Sequence, residues 1–210
     1  MSNTSKKKYF DNVSVGARTK QSLYYVQQHD KATMLGLLIK NIQSKQIIIL
    51  SKNKIGANEL SKYLNSLDIN ALAVHGNHRA EQIKNAAEDF SSKTLNILIT
   101  TDMILKSLEL SNIQIIINYD LPLLAADYFV RLLNVDEIGE AISFVSPQEE
   151  KTLASIEFMM KLEIPEEKIT GFQVTKAPLN NSPKKTKVRH KKAKKDTISN
   201  VNKHNYTKKM

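Results

Sequence analysis

Two stretches place reactive side chains where an open α/β sheet uses them. Thr101-Asp102 follows the apolar run Leu95–Thr100, and Tyr119-Asp120-Leu121-Pro122 follows Ile113–Asn118. Both runs are short, rich in Ile and Leu, and bounded by polar residues, as strands buried on both faces are. Ligands of such sheets gather outside the carboxyl ends of the strands. Asp102 is there either as part of a ligand site or as a plain helix cap. His75 and His78 share no metal-ligand spacing with nearby acids, and His75 also suits a strand-end histidine with satisfied partners. No metal site is expected. The absence of cysteine excludes disulfides, thiolate metal sites and a Cys nucleophile, and fits a reducing, cytoplasmic setting.

The second chemical signal is cationic. Residues 176–210 hold 12 Lys/Arg and one Asp; with 31 and 21 in all, the other 175 residues hold 19 Lys/Arg against 20 Asp/Glu. The net charge of +10 therefore belongs to the tail. Lys184, Lys185, Lys187, Arg189, Lys191, Lys192, Lys194 and Lys195 form a run suited to binding phosphates electrostatically. The bland alternative is a solvating extension. The tail is poor in apolar residues and predicts disorder.

The elements that must position these residues follow from pattern. No stretch of the chain is long and apolar enough to suggest a membrane span, and MSNTSKKKYF is no signal peptide. Residues 1–20 read as a loose basic arm. Strands are expected at Leu23–Val26, Ile47–Leu50, Asn70–His75, Leu95–Thr100, Ile113–Asn118 and Ala141–Val145. Between them lie a helix capped by Asp30, then helices over Ile55–Leu67, Arg79–Phe90 and Leu123–Leu133. A last helix over Pro147–Met160 starts with Ser146 as cap and Pro147 at the first helical position. Alternating strands and helices imply one domain over residues 21–175. It is an α/β fold, a doubly wound parallel sheet of about six strands with helices on both faces.

Several strings, in order, carry a family resemblance. They are Leu23–Val26 with Lys31, Ile47–Lys54, Val74-His75-Gly76, Ile97–Leu110, Ile116 through Pro122, and Gly139-Glu140-Ala141-Ile142-Ser143-Phe144. Together they resemble the C-terminal, second RecA-like domain of DEAD-box ATP-dependent RNA helicases. The resemblance implies half of a two-domain enzyme that closes on ATP and single-stranded RNA. The other half carries the phosphate loop and the Asp-Glu-Ala-Asp metal site. The 210 residues contain neither a G-x-x-x-x-G-K-[ST] string nor that tetrad.

Against the family pattern the nucleotide side is eroded. The family's His-Arg-Ile-Gly-Arg-x-Gly-Arg corresponds to Val130-Arg131-Leu132-Leu133-Asn134, and Arg131 alone survives. The lost arginine finger is worth roughly 10³–10⁵ in rate in related nucleotide hydrolases. In Ala-Thr-Asp-x-x-x-Arg-Gly-x-Asp, Thr101 and Asp102 match, while Lys106, Ser107 and Glu109 replace the later residues. Lys106 keeps charge without the guanidinium fork. The family's Gln-x-x-Arg falls on Ala80 and Ile83. Lys106, Glu109 and Arg131 thus read as vestiges of a nucleotide side, although Arg131 also suits a surface pair with Asp127.

The polynucleotide side is better kept. The resemblance assigns RNA phosphates to Asn53, Gly76, Thr101 and Asp102, with Lys52 and Lys54 adding charge, or acting only as solvated surface lysines. Tyr24-Tyr25 reads as packing rather than a base platform. The expectation is an RNA-binding, catalytically inactive relative of these helicases, with structured or single-stranded RNA, including ribosomal RNA, as partner. The alternative is the second half of a split helicase whose phosphate-loop domain is a separate chain. No cofactor is expected alone; ATP and magnesium enter only with that partner.

Overall fold

The computed structural model describes residues 11–42, 45–108, 110, 113–136 and 139–175. Three isoleucine-rich strands form its centre: β2 (Ile47–Leu50), β4 (Ile97–Thr100) and β5 (Ile115–Asn118). Every residue in them is buried, because helices cover both faces. β1 (Lys20–Tyr25), β3 (Ala71–Ala73) and β6 (Glu140–Val145) complete a parallel sheet in the order β1-β6-β5-β2-β4-β3. Leu50 at the end of β2 pairs with Thr100 on one side and Asn118 on the other. The carboxyl ends of β2, β4 and β5 are therefore level. The doubly wound α/β expectation holds.

Side-chain alternation distributes the helices. Ile47 and Ile49 join Ile97, Ile99, Ile115 and Ile117 under α2 (Lys31–Asn41) and α3 (Lys54–Asn65). Ile48, Leu50, Leu98 and Ile116 face the other way, toward α4 (Ala80–Ser91) and α5 (Asp102–Leu105). On that same face Leu23, Ala141 and Val145 meet α6 (Ala125–Leu132) and α7 (Glu150–Met160). Gly139, ahead of β6, has no room for a side chain: a Cβ would stand 2.8 Å from the Gln114 carbonyl oxygen and 2.5 Å from Val135.

Three local expectations need correction. Residues 11–20 are not a loose arm: Asn12–Arg18 forms α1, capped by the Asp11 carboxylate, which accepts from the Ser14 N–H at 2.9 Å. Val15 is buried in the cluster shared with α7, which supplies the tertiary support that seven residues need. Ser146 and Pro147 form a turn ahead of α7, not its first turn. Glu149 takes the N-cap position, and its carboxylate accepts from the Ser146 N–H and hydroxyl at 2.9 and 2.7 Å. Asp30 does stand at the N-cap of α2, but it makes no side-chain cap bond; its carboxylate instead holds Thr175. Residues 1–10 and 176–210, including the Lys-rich run, lie outside the described residues.

Candidate nucleic-acid interface

Loops from β2, β3 and β4 form one continuous edge, since these strands are neighbours. Asp120, at the end of β5, fastens the first of them. Its Oδ2 accepts from the Lys52 N–H at 2.9 Å, and its own N–H donates to the Leu50 carbonyl at 3.1 Å. Asn53 Oδ1 then caps α3 by accepting from the Gly56 N–H at 2.9 Å. Lys54 Nζ donates to Asn77 Oδ1 at 3.3 Å and so links this loop to the one after β3. Lys52, Asn53, Lys54 and Gly76 are all exposed, and a Cβ on Gly76 would meet nothing within 4 Å. A cavity of about 440 Å³ opens beside them, lined by Lys52, Asn53, Glu59, Tyr63, Tyr119 and Asp120.

Two buried cations brace this edge from behind. Lys31 has no exposed surface. Its ammonium donates to Glu149 Oε2 at 2.6 Å and to the Tyr119 carbonyl at 2.8 Å. Glu149 Oε1 also accepts from the Leu121 N–H at 2.9 Å, so α2, α7 and the loop after β5 meet at one point. Burial pushes the Glu149 carboxyl up, but Lys31 and Ser146 outweigh it and hold it below its ordinary value. Arg131, 1% exposed, is the second brace. It grips Asp102 with two bonds and donates through Nη1 to Asn118 Oδ1 and the Asp120 carbonyl, each at 2.8 Å.

The structure thus separates residues that the sequence grouped. Asp102 and Arg131 pair with each other, so the Asp102 carboxylate is committed to α6 and Arg131 is a strut within the domain. The alternative pairing of Arg131 with Asp127 is replaced: Asp127 accepts from Lys106 at 2.8 Å. That carboxylate also raises the Lys106 ammonium above its ordinary value. Thr101, half-buried, is the N-cap of α5 but makes no side-chain cap bond. Glu109 and the eight tail cations lie outside the described residues. Tyr24 packs edge-on against Phe144 with ring centroids 6.0 Å apart, as core. Sequence reasoning missed the Lys31–Glu149 pair, whose partners lie 118 positions apart with no local signal.

Near the ends of β4 and β5, the cations Lys106 and Arg131 are held by carboxylates. Met103, Leu123 and Leu124 are exposed at 76%, 77% and 67%. Among the described residues no three His, Asp or Glu converge as metal ligands.

This fold, with its strand-end loops, defines a RecA-like helicase C-terminal domain, and residues 30–132 match the helicase conserved C-terminal domain family. The described domain has the fold and sequence pattern of the C-terminal RecA-like domain of DEAD-box helicases. It is 31% identical over 174 residues to the ATP-dependent RNA helicase SUB2 of Coccidioides immitis, covering 76% of this chain and 39% of that protein. It is 30% identical over 152 residues to the ATP-dependent rRNA helicase RRP3 of Candida glabrata, covering 71% and 31%. Among solved structures, a DEAD box protein from Methanococcus jannaschii superimposes with a TM-score of 0.68 at 29% identity, over 73% of this chain and 43% of that one. Dbp5 of Saccharomyces cerevisiae, bound to RNA and ADP BeF3, shares the fold with a TM-score of 0.69 at 23% identity, over 76% and 44%. The chain spans about two fifths of the length of the SUB2 relative.

Proposed function

We propose that this chain binds RNA phosphates and turns over no ATP by itself. The loops after β2 and β3 hold the polynucleotide, and the Lys-rich segment 176–210 adds sequence-independent affinity. One observation carries this reading. The exposed lysines of the domain's carboxyl edge, Lys52 and Lys54, face solvent beside Asn53 and Gly76, whereas the cations on the nucleotide side are spent on Asp102 and Asp127. Phosphate contacts of this kind position a strand without reading its bases. The similarity to SUB2, named an ATP-dependent RNA helicase, supports RNA as the polymer.

The test is a titration of the full chain, and of a chain ending at residue 175, against a short single-stranded RNA, alongside an ATPase assay. The full chain binds with a steep salt dependence, and the shorter chain binds weakly but saturably at low salt. Absence of saturable binding by either, or ATP turnover by the chain unaided, overturns the reading.

A second reading has its own support. The matched relatives are much longer than this chain, and Met103 on α5 with Leu123 and Leu124 just ahead of α6 leave exposed apolar side chains. In this reading a separate phosphate-loop domain docks there and supplies ATP and magnesium. RNA-stimulated ATP turnover that appears only on mixing the two chains would establish it.

A further inference from the structure

The cavity beside Lys52 and Asn53 has walls that phosphate contacts leave unused. Its volume of about 440 Å³ lies within the range of roughly 300–1,000 Å³ found for small-ligand sites. Two of its walls are aromatic. Tyr63 stands on α3 one turn after Glu59, so the two share a side of the helix, while Ala57, Leu60 and Leu64 are buried. Tyr119 follows β5, and its ring is braced from two directions. Phe144 meets it edge-on with centroids 6.2 Å apart, and the Lys31 ammonium stands 5.6 Å from its centroid. A ring held in this way is set before any ligand arrives, which lowers the cost of binding.

The polar groups suit a planar ligand that donates hydrogen bonds. Two carboxylates line the cavity, and Asp120 is already committed to the Lys52 N–H at 2.9 Å. Glu59 is exposed and, among the described residues, has no ion-pair partner. Burial raises the Tyr119 phenol above its ordinary value, and Asp120 and Glu59 add to the rise, so the hydroxyl keeps its proton as a donor. Gln28 adds an exposed amide that can both donate and accept. Carboxylates on the wall repel a phosphate. An unstacked RNA base matches this lining: its flat faces suit the tyrosines, and its edge carries donors for Glu59.

We propose that this cavity receives one RNA base bearing an exocyclic amine, which donates to Glu59 while the ring lies against Tyr63 and Tyr119. This rests on the RNA-phosphate reading above, since the strand held at Lys52 and Asn53 supplies the base. A carboxylate accepts from the amine of cytosine, whereas uracil presents a carbonyl oxygen in its place. The test therefore compares oligocytidylate with oligouridylate of equal, short length, with the affinity of the full chain measured across a salt titration. Oligocytidylate binds several-fold more tightly with the same salt slope, because both strands carry the same phosphates. Glu59→Ala brings the ratio of the two affinities to one, and the ratio cancels any general gain from removing a negative charge. Glu88→Ala, an equal charge change on α4, keeps the wild-type ratio. Tyr63→Leu keeps an apolar side chain but removes the ring, and oligocytidylate affinity falls about tenfold with the slope unchanged. Equal wild-type affinity for the two strands, or a preference that survives Glu59→Ala, refutes the base pocket while RNA binding stands. Absence of saturable wild-type binding to either strand refutes the RNA reading and the pocket together.

Discussion

Arg131 and Asp102 are joined by a two-pronged ion pair, Nε to Oδ1 at 2.7 Å and Nη2 to Oδ2 at 2.8 Å. The guanidinium belongs to α6 and the carboxylate to the first residue of α5, so the pair closes the crossover between β4 and the helix after β5. With Nη1 on Asn118 and the Asp120 carbonyl, the side chain locks three strand-end segments together. Arg131→Gln leaves a carboxylate and two buried acceptors unmatched, and is expected to destabilise the domain by about 3–5 kcal/mol. Arg131→Lys rescues little of this, because an ammonium lacks the planar fork. Urea midpoints measure both; a loss below about 1 kcal/mol would show the pair to be incidental.

The Lys31–Glu149 pair makes a pH prediction. The Glu149 carboxyl is held below its ordinary value of 4.5 in the folded chain. A depressed carboxylate contributes stability that is complete above the unfolded value and lost as pH falls through the folded one. Stability should therefore decline below about pH 4.5, and Glu149→Gln should remove that part of the decline. The same substitution leaves the Lys31 ammonium poorly matched and costs about 3 kcal/mol at neutral pH. A parallel acid decline in the variant would assign it to other carboxylates.

Gly16 tests the seam between α1 and α7. A Cβ at this position would collide with the Met160 side chain. Alanine favours a helix over glycine by about 1 kcal/mol, so propensity alone predicts a gain. Gly16→Ala should instead lose about 1–3 kcal/mol through overpacking. A gain in melting temperature would mean that Met160 moves aside freely.

Stability and RNA affinity separate within one loop. Asn53→Ala removes the α3 cap and should cost about 1 kcal/mol. Lys52→Gln and Lys54→Gln touch only exposed side chains and should stay within about 0.5 kcal/mol of wild type, yet each should weaken RNA binding. Thermal melts and RNA titrations on the three variants check this. Equal affinity in both lysine variants would make them solvated surface charges.

The sheet was legible because its signal is local. Ile47–Leu50, Ile97–Thr100 and Ile115–Asn118 are uninterrupted apolar runs, and only a strand covered on both faces makes use of them. α1 was illegible because Asn12–Arg18 offers little beyond Val15 to bury and owes its helix to α7. Ser146-Pro147 carried a strong helix-start pattern, but Glu149 draws the Ser146 hydroxyl and N–H to itself and delays the helix. The strand-end loops were placed correctly by the motif strings. The roles of Asp102 and Arg131 were not, because their partnership spans 29 positions and each has a nearer oppositely charged neighbour.

Lys31 has a practical consequence. Among the described residues every other lysine is exposed, while Lys31 is sealed beneath Tyr119 and Glu149. An amine-acylating reagent added to the native chain should therefore mark those lysines and spare this one. Mass-spectrometric appearance of an adduct on Lys31 becomes a built-in clock for global opening of the domain, readable without a spectroscopic probe.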